Sequence, residues 1–198
     1  MDFSAVLSGR CPLCGRRGCL RELTPYGRWA ISLFPYEKRW ILVARFLCRK
    51  TKLTVSLLPL ELAPYHPYSI PSMLWVLWLC GKGLESREGC GILRVLLDAV
   101  RDTDDVTESL VGFWVEMILR GFHRAHPMLR ALHDLSGVTS GRGLPCRVLE
   151  VGVYLRSCRV RGPPGLVGDV MALLKDVSAR RHRFLFGIPS QDRRRQGK

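Results

Sequence analysis

Cys11-Pro12-Leu13-Cys14 places two thiols on one short turn, and Gly15 directly after it permits the tight backbone such a turn needs. Cys19 follows across a loop of four residues, and Cys48 returns much later in Cys48-Arg49-Lys50-Thr51. Thiolates in this pattern are ligands for a structural metal, zinc above all, which takes four soft donors in a tetrahedron. Thr51 stands where a second Cys-x-x-Cys would carry its last sulfur, and a hydroxyl does not replace a thiolate. The fourth ligand is expected to be Cys19, whose loop can fold back on the turn, ahead of His66, which lies further along. The expected site is therefore one zinc ion on Cys11, Cys14, Cys19 and Cys48. No open position beside a general base accompanies these residues, so the ion would support the fold and not catalyse.

Such a site requires two sulfur-bearing turns held together by strands. Arg28 to Phe34 alternates, with Trp29, Ile31 and Leu33 on one side, and reads as a strand. Pro35 to Lys38 reads as a turn, Trp40 to Leu47 as a second strand and Lys52 to Leu58 as a third. Residues 1–10 are read as a short leading strand. Turn, hairpin and second turn together give the plan of a zinc ribbon. Pro59, Pro64, Pro67 and Pro71 then mark a linker.

Beyond the linker the apolar period becomes helical. A helix should start near Pro71, capped by Ser69, and end at Gly81 and Gly83. A second carries Ile92, Leu93, Leu96, Leu97 and Val100. A third is capped by Thr103-Asp104-Asp105 and buries Val106, Leu110, Phe113, Met117 and Ile118. Pro127 interrupts it, and a fourth helix holds Leu129, Leu132 and Leu135. Leu144 to Val160 is helix or strand, and a final helix runs from Pro163 to about Ala179. The chain is thus expected to be α+β, with a zinc-ribbon-like module over 1–58, a proline linker and helical region over 59–140, and a basic helical region and arm over 141–198.

Charge is distributed unevenly. The chain of 198 residues carries a formal net charge of +14. Residues 1–58 hold 11 basic and 3 acidic side chains, residues 59–140 hold 7 and 10, and residues 141–198 hold 13 and 4. A polyanion would be drawn to the two ends. The expected phosphate contacts are Arg16, Arg17, Arg21, Arg28, Arg39, Arg45, Arg49, Lys50 and Lys52 in the module, with Arg180, Arg181 and Arg183 in the arm. Trp29, Tyr36 and Trp40 interleave with them and offer rings on which exposed bases could stack. The longest apolar run, Ile70 to Cys80, is shorter than the roughly 20 residues of a membrane span. The N-terminus has no basic region followed by an apolar stretch, so secretion is not expected. The eight cysteines should then meet a reducing cytoplasm, where clustered thiols bind metal more often than they pair.

The run Arg45-Phe-Leu-Cys-Arg-Lys-Thr-Lys-Leu-Thr-Val-Ser-Leu-Leu-Pro59 and the following Leu62-Ala-Pro-Tyr-His-Pro-Tyr-Ser69 resemble the N-terminal zinc-ribbon segment of bacterial insertion-sequence transposases. They also resemble small zinc-ribbon and helical proteins that share it, and Phe184-Leu-Phe-Gly-Ile-Pro-Ser190 is similar to the ending of some of these. The resemblance covers about the first 75 residues. It implies DNA binding and says nothing about catalysis by this segment; the expected setting is bacterial, cytoplasmic and nucleoid-associated. Thr51 departs from the family's pattern, which has Cys there.

Three other constellations have simpler readings. The spacing of the middle helices permits a helix-turn-helix with Asp104 to Leu119 as recognition helix. Its outward Thr107, Glu108, Gly112, Glu116 and Arg120 include two carboxylates, a poor match to a phosphate-lined groove. Asp98, Asp102, Asp104, Asp105 and Glu108 fall at helix ends, where carboxylates act as caps and complement the dipole, not as a two-metal nuclease centre. His123, His126 and His133 read as surface residues, and Cys80, Cys90, Cys146 and Cys158 as core thiols. No phosphate loop, dinucleotide fingerprint or nucleophile elbow is present. The expected function is non-catalytic DNA binding by a mobile-element protein, its helices docking a partner or a second copy. The alternatives are an adaptor for a transposase or recombinase, and an RNA-binding zinc-ribbon protein.

Overall fold

A computed structural model describes residues 9–33, 36–59, 61–86, 106–132, 134–135 and 141–157. Within them the chain is α+β and divides into two compact units, Met1–Ser69 and Ile70–Lys198. The expected second helix, the final helix, the arm with Arg180, Arg181 and Arg183, and the leading strand up to residue 8 lie outside the described residues.

The first unit is an antiparallel sheet of three strands in sequential order: β1 (Leu20–Leu33), β2 (Tyr36–Cys48) and β3 (Thr54–Leu57). β1 begins well before the expected Arg28, and β2 takes in the residues read as a turn, from Tyr36 on. Pro25 is the reason the early half of β1 does not read as strand, because proline cannot donate to a ladder. The sheet accommodates it with a bulge. Leu23 pairs with Arg45 but Tyr26 with Val43, so β1 spends one residue more than β2 between those rungs. The bulge also shifts the alternation of β1. Leu20 and Glu22 share a face with Phe46 and Cys48 before it; Gly27, Trp29 and Ile31 share that same face with Leu42, Trp40 and Lys38 after it.

At the sulfur end this face buries Leu20, Ala44 and Phe46 with Cys11 and Cys48, and Leu13 and Leu57 pack against them. The unit extends to Ser69 instead of ending at residue 58. The stretch read as a linker pairs with the outer edge of β1: Ile31 N–H donates to the Pro67 carbonyl, and Ser69 N–H to the Ile31 carbonyl, each at 2.8 Å. Prolines rule out a long strand here but leave these few backbone groups able to pair.

The second unit is helical: α1 (Ile70–Ser86), α2 (Glu108–Leu132) and α3 (Leu144–Ser157). Pro71 sits in the first turn of α1, where its missing N–H is not needed. α1 runs through Gly81 and Gly83 instead of stopping there. A Cβ on Gly81 would make only an ordinary contact, 4.0 Å from the Val148 carbonyl of α3, so no glycine is required there, and the helix continues because Leu77 and Cys80 before it are buried. The N-cap of α2 is Thr107, whose hydroxyl accepts the Leu110 N–H at 3.3 Å; the expected cap, Thr103 to Asp105, lies outside the described residues. Pro127 lies inside α2 without ending it. The helix is continuous across it because Phe122, Ala125 and Leu129 on either side are all buried on one face.

The buried stripe of α2 is Val111, Trp114, Val115, Ile118, Leu119 and Phe122. It is turned from the expected set: Phe113 is 53% exposed and Trp114 fully enclosed. Two neighbouring aromatics satisfy almost the same periodicity, and packing selects the larger one. α3 completes this core with Val148, Val151, Tyr154 and Leu155, and α1 with Met73, Leu74, Val76, Leu77 and Cys80. Trp114→Ala should cost about 3–5 kcal/mol, read as an earlier urea midpoint of the helical far-UV signal. A midpoint unchanged within error would mean the indole is not a core member.

Candidate metal centre

The first turn is set by its own backbone. Gly15 N–H closes it on the Cys11 carbonyl at 2.8 Å, with Gly15 at φ 72°. The second turn repeats this geometry with other residues. Lys52 N–H closes on the Cys48 carbonyl at 2.8 Å, and Lys52 has φ 58°. Thr51 therefore occupies in the second turn the place that Cys14 occupies in the first. The loop after the first turn brings in the missing sulfur. Gly18 reverses the chain at φ 65°, and Arg49 N–H donates to the Cys19 carbonyl at 2.9 Å, tying the loop to the second turn.

The result is a cluster of Cys11, Cys14, Cys19 and Cys48 whose sulfurs all lie within 4.8 Å of one another. Cys14 and Cys19 Sγ are 3.3 Å apart, Cys14 and Cys48 3.7 Å, and Cys19 and Cys48 3.9 Å. These separations are far beyond the ~2.05 Å of a disulfide. They match the edge of about 3.8 Å implied by a tetrahedron with metal–sulfur bonds of ~2.3 Å. The donor set and its spacing fit a metal ion, and are compatible with a zinc site.

The electrostatics fit as well. The Thr51 hydroxyl, and then its N–H, which lies 3.4 Å from Cys48 Sγ, stabilise the thiolate and bring Cys48 down to about 6. Thr51 thus stands outside the sulfur cluster and supports the Cys48 thiolate. Cys19 is pushed the other way, up to about 12, first by burial and then by the sulfurs of Cys14, Cys11 and Cys48. Four sulfurs this close cannot all carry charge unless a cation shares them. His66, the other residue considered for the fourth position, is not in the cluster. Its carbonyl accepts from Arg28, and its ring lies 5.8 Å from that of Tyr68.

The basic residues divide into two groups. Arg16 and Arg17 on the first turn, and Arg49, Lys50 and Lys52 on the second, are exposed, and none of the five forms an ion pair among the described residues. Arg21 is also exposed. The others are engaged. Arg28 donates to the Ala63 carbonyl at 3.4 Å and to the His66 carbonyl, Arg39 pairs with Glu37, and Arg45 lies 5.7 Å over the Tyr26 ring.

Elsewhere His123 is exposed as expected and His126 is half-buried, each with a partner on α3, while His133 lies outside the described residues. His123 Nε2 lies 2.7 Å from the buried Glu150, and His126 Nδ1 2.8 Å from the Tyr154 hydroxyl; Tyr154 stacks on Phe122 at 4.8 Å. The signal was available in Val148-Leu-Glu150-Val151, a carboxylate inside an apolar helix face that needs a partner. Cys80 is a buried thiol, raised to about 12 by burial, whereas Cys146 is exposed. Glu116, assigned to the outward face of a recognition helix, pairs with Arg147, and Glu108 and Glu116 line an open cleft of about 490 Å³ with Gly143, Leu144 and Arg147. That face is met by α3. The helix expected before it lies outside the described residues.

No protein-family model, curated protein or solved structure matches the chain. Its class rests on its own geometry: an α+β protein with four clustered cysteines that could hold a metal. Among the described residues no helix is long and apolar enough to cross a membrane.

Proposed function

We propose that the first unit is a zinc ribbon and that the protein binds DNA without catalysing a reaction, in the manner of a mobile-element protein. One observation carries this reading. The sulfur cluster sets two cationic turns side by side, so that Arg16 and Arg17 stand next to Arg49, Lys50 and Lys52 with no acidic partner among the described residues. A cluster of like charges held together by a structural metal costs self-repulsion, which a polyanion relieves by exchanging its counterions for these side chains. Contacts of this kind supply affinity and position more than sequence choice. The helical unit is left to dock a partner transposase or a second copy, and a basic arm with Arg180, Arg181 and Arg183 would add to the grip.

The test is a titration of a fluorescent 20-base-pair duplex across a salt series. Binding should weaken steeply, with log K falling against log salt at a slope near −0.9 for each phosphate neutralised. Binding absent at low salt, or indifferent to salt, would sink the reading and favour the adaptor.

A further inference from the structure

The alternation of the β1/β2 hairpin sets its arginines on one face and Trp29, Tyr36 and Trp40 on the other. Arg28, Arg39 and Arg45 lie on one face, and the Arg28 guanidinium there reaches the Ala63 and His66 carbonyls. The other face carries Trp29, Tyr36, Trp40 and Leu42, which are 45%, 60%, 58% and 65% exposed. Trp29 and Trp40 form a cross-strand pair with ring centroids 5.0 Å apart at 71°, and a Cβ at Gly27 would collide with the Trp40 indole. The missing side chain lets that ring lie across the backbone. Between Gly27 and Leu42 this face has one charge, Lys38, whose ammonium sits 4.8 Å from the Trp29 ring, and no carboxylate.

We propose that this face is a stacking platform for the unpaired bases of a single-stranded nucleic acid. The proposal rests on the nucleic-acid reading above and names its substrate class. Rings held edge to face leave an indole surface open, and any base can stack on it. Lys38 at the rim, with the cationic turns at the other end of the same strand, suits the phosphates that follow the bases. Exposed aromatic and apolar side chains grouped on one face mark an interaction site, and Lys38, the one charge among them, suits a polyanion. Duplex bases are already stacked on one another and offer no free face, so the ligand is a strand, of DNA or RNA.

The experiment compares wild-type protein with Trp29→Ala/Trp40→Ala, and with Trp29→Phe, using dT20, rU20 and a 20-base-pair duplex as probes in fluorescence anisotropy. Metal content and far-UV spectra confirm that each variant keeps its fold. The double variant should lose about 10- to 100-fold in affinity for the strand, change less than twofold for the duplex, and Trp29→Phe should retain most strand binding. Tryptophan emission of the wild type should be quenched by dT20. The relative affinities for dT20 and rU20 assign the strand's chemistry. Duplex binding with no loss of strand binding in the double variant would overturn the platform and leave the DNA reading standing. Failure of every probe to bind would remove both. Equal losses on strand and duplex, or a wild-type dimer that the double variant turns into a monomer, would assign the face to phosphate contact or to a second copy and also overturn it.

Discussion

Cys19→Ser protein should leave purification without metal, while wild-type protein carries one zinc per chain. The effect should be large because a structural zinc contributes folding energy outright, roughly 10–16 kcal/mol in small zinc modules. In the first unit the sulfurs of Cys14, Cys19 and Cys48 lie 3.3 to 3.9 Å apart, so removing one leaves three donors and an open corner. The β signal should go with the metal, while the helical signal of α1, α2 and α3 persists, since those helices have their own core in Trp114, Phe122 and Tyr154. The geometry of the two turns supplies a rescue. Thr51 stands where Cys14 stands in the first turn, with Lys52 matching Gly15 in hydrogen bond and in sign of φ. Thr51→Cys added to Cys19→Ser should restore one zinc per chain. Elemental analysis of purified protein decides it. One tightly held zinc in Cys19→Ser alone would show that Cys19 is not a ligand.

Changing Arg16, Arg17, Arg49, Lys50 and Lys52 together to Gln should lower duplex affinity at least 100-fold near 100 mM salt. The slope of log K against log salt should flatten by about 4 to 5, because each contact contributes about 0.9. Arg28→Gln and Arg39→Gln serve as controls. Arg28 holds the 62–69 segment through two carbonyls and Arg39 faces Glu37, so neither should alter the slope. Arg28→Gln should instead lower the thermal midpoint of the first unit. A full slope retained without the five cations would move the nucleic-acid contact elsewhere on the chain.

Much of the sulfur cluster was legible because its determinants are local. Cys-x-x-Cys with a following glycine fixes a turn by itself, and the loop from Cys14 to Cys19 is too short to carry the third sulfur far. Thr51 was legible as a departure but not as a support for Cys48, since that depends on a turn closed by Lys52 in a left-handed conformation that sequence alone rarely assigns to lysine. The strands were legible where apolar alternation was strong, after Arg28, and lost before it, where Pro25 requires a bulge that only the partner strand reveals. The helix ends were misplaced at Gly81 and Pro127 for one reason. Both residues weaken an isolated helix, and both are tolerated where packing on a neighbouring helix outweighs propensity. The list of basic residues could not separate free from engaged side chains, because the acceptors of Arg28 lie 35 and 38 residues away.

The extra residue at Thr24-Pro25 has a bearing on which sequence changes this hairpin can survive. It is the residue that nothing on β2 opposes, so losing one residue there would straighten the strand and leave every later rung in place, with Tyr26 still facing Val43 and Trp29 still facing Trp40. Loss of Arg28, beyond the bulge, has no such slack: it would carry Trp29 opposite Ile41, onto the side from which Arg28 now reaches the Ala63 carbonyl. The hairpin should therefore tolerate shortening between Leu23 and Tyr26 far better than between Gly27 and Leu33.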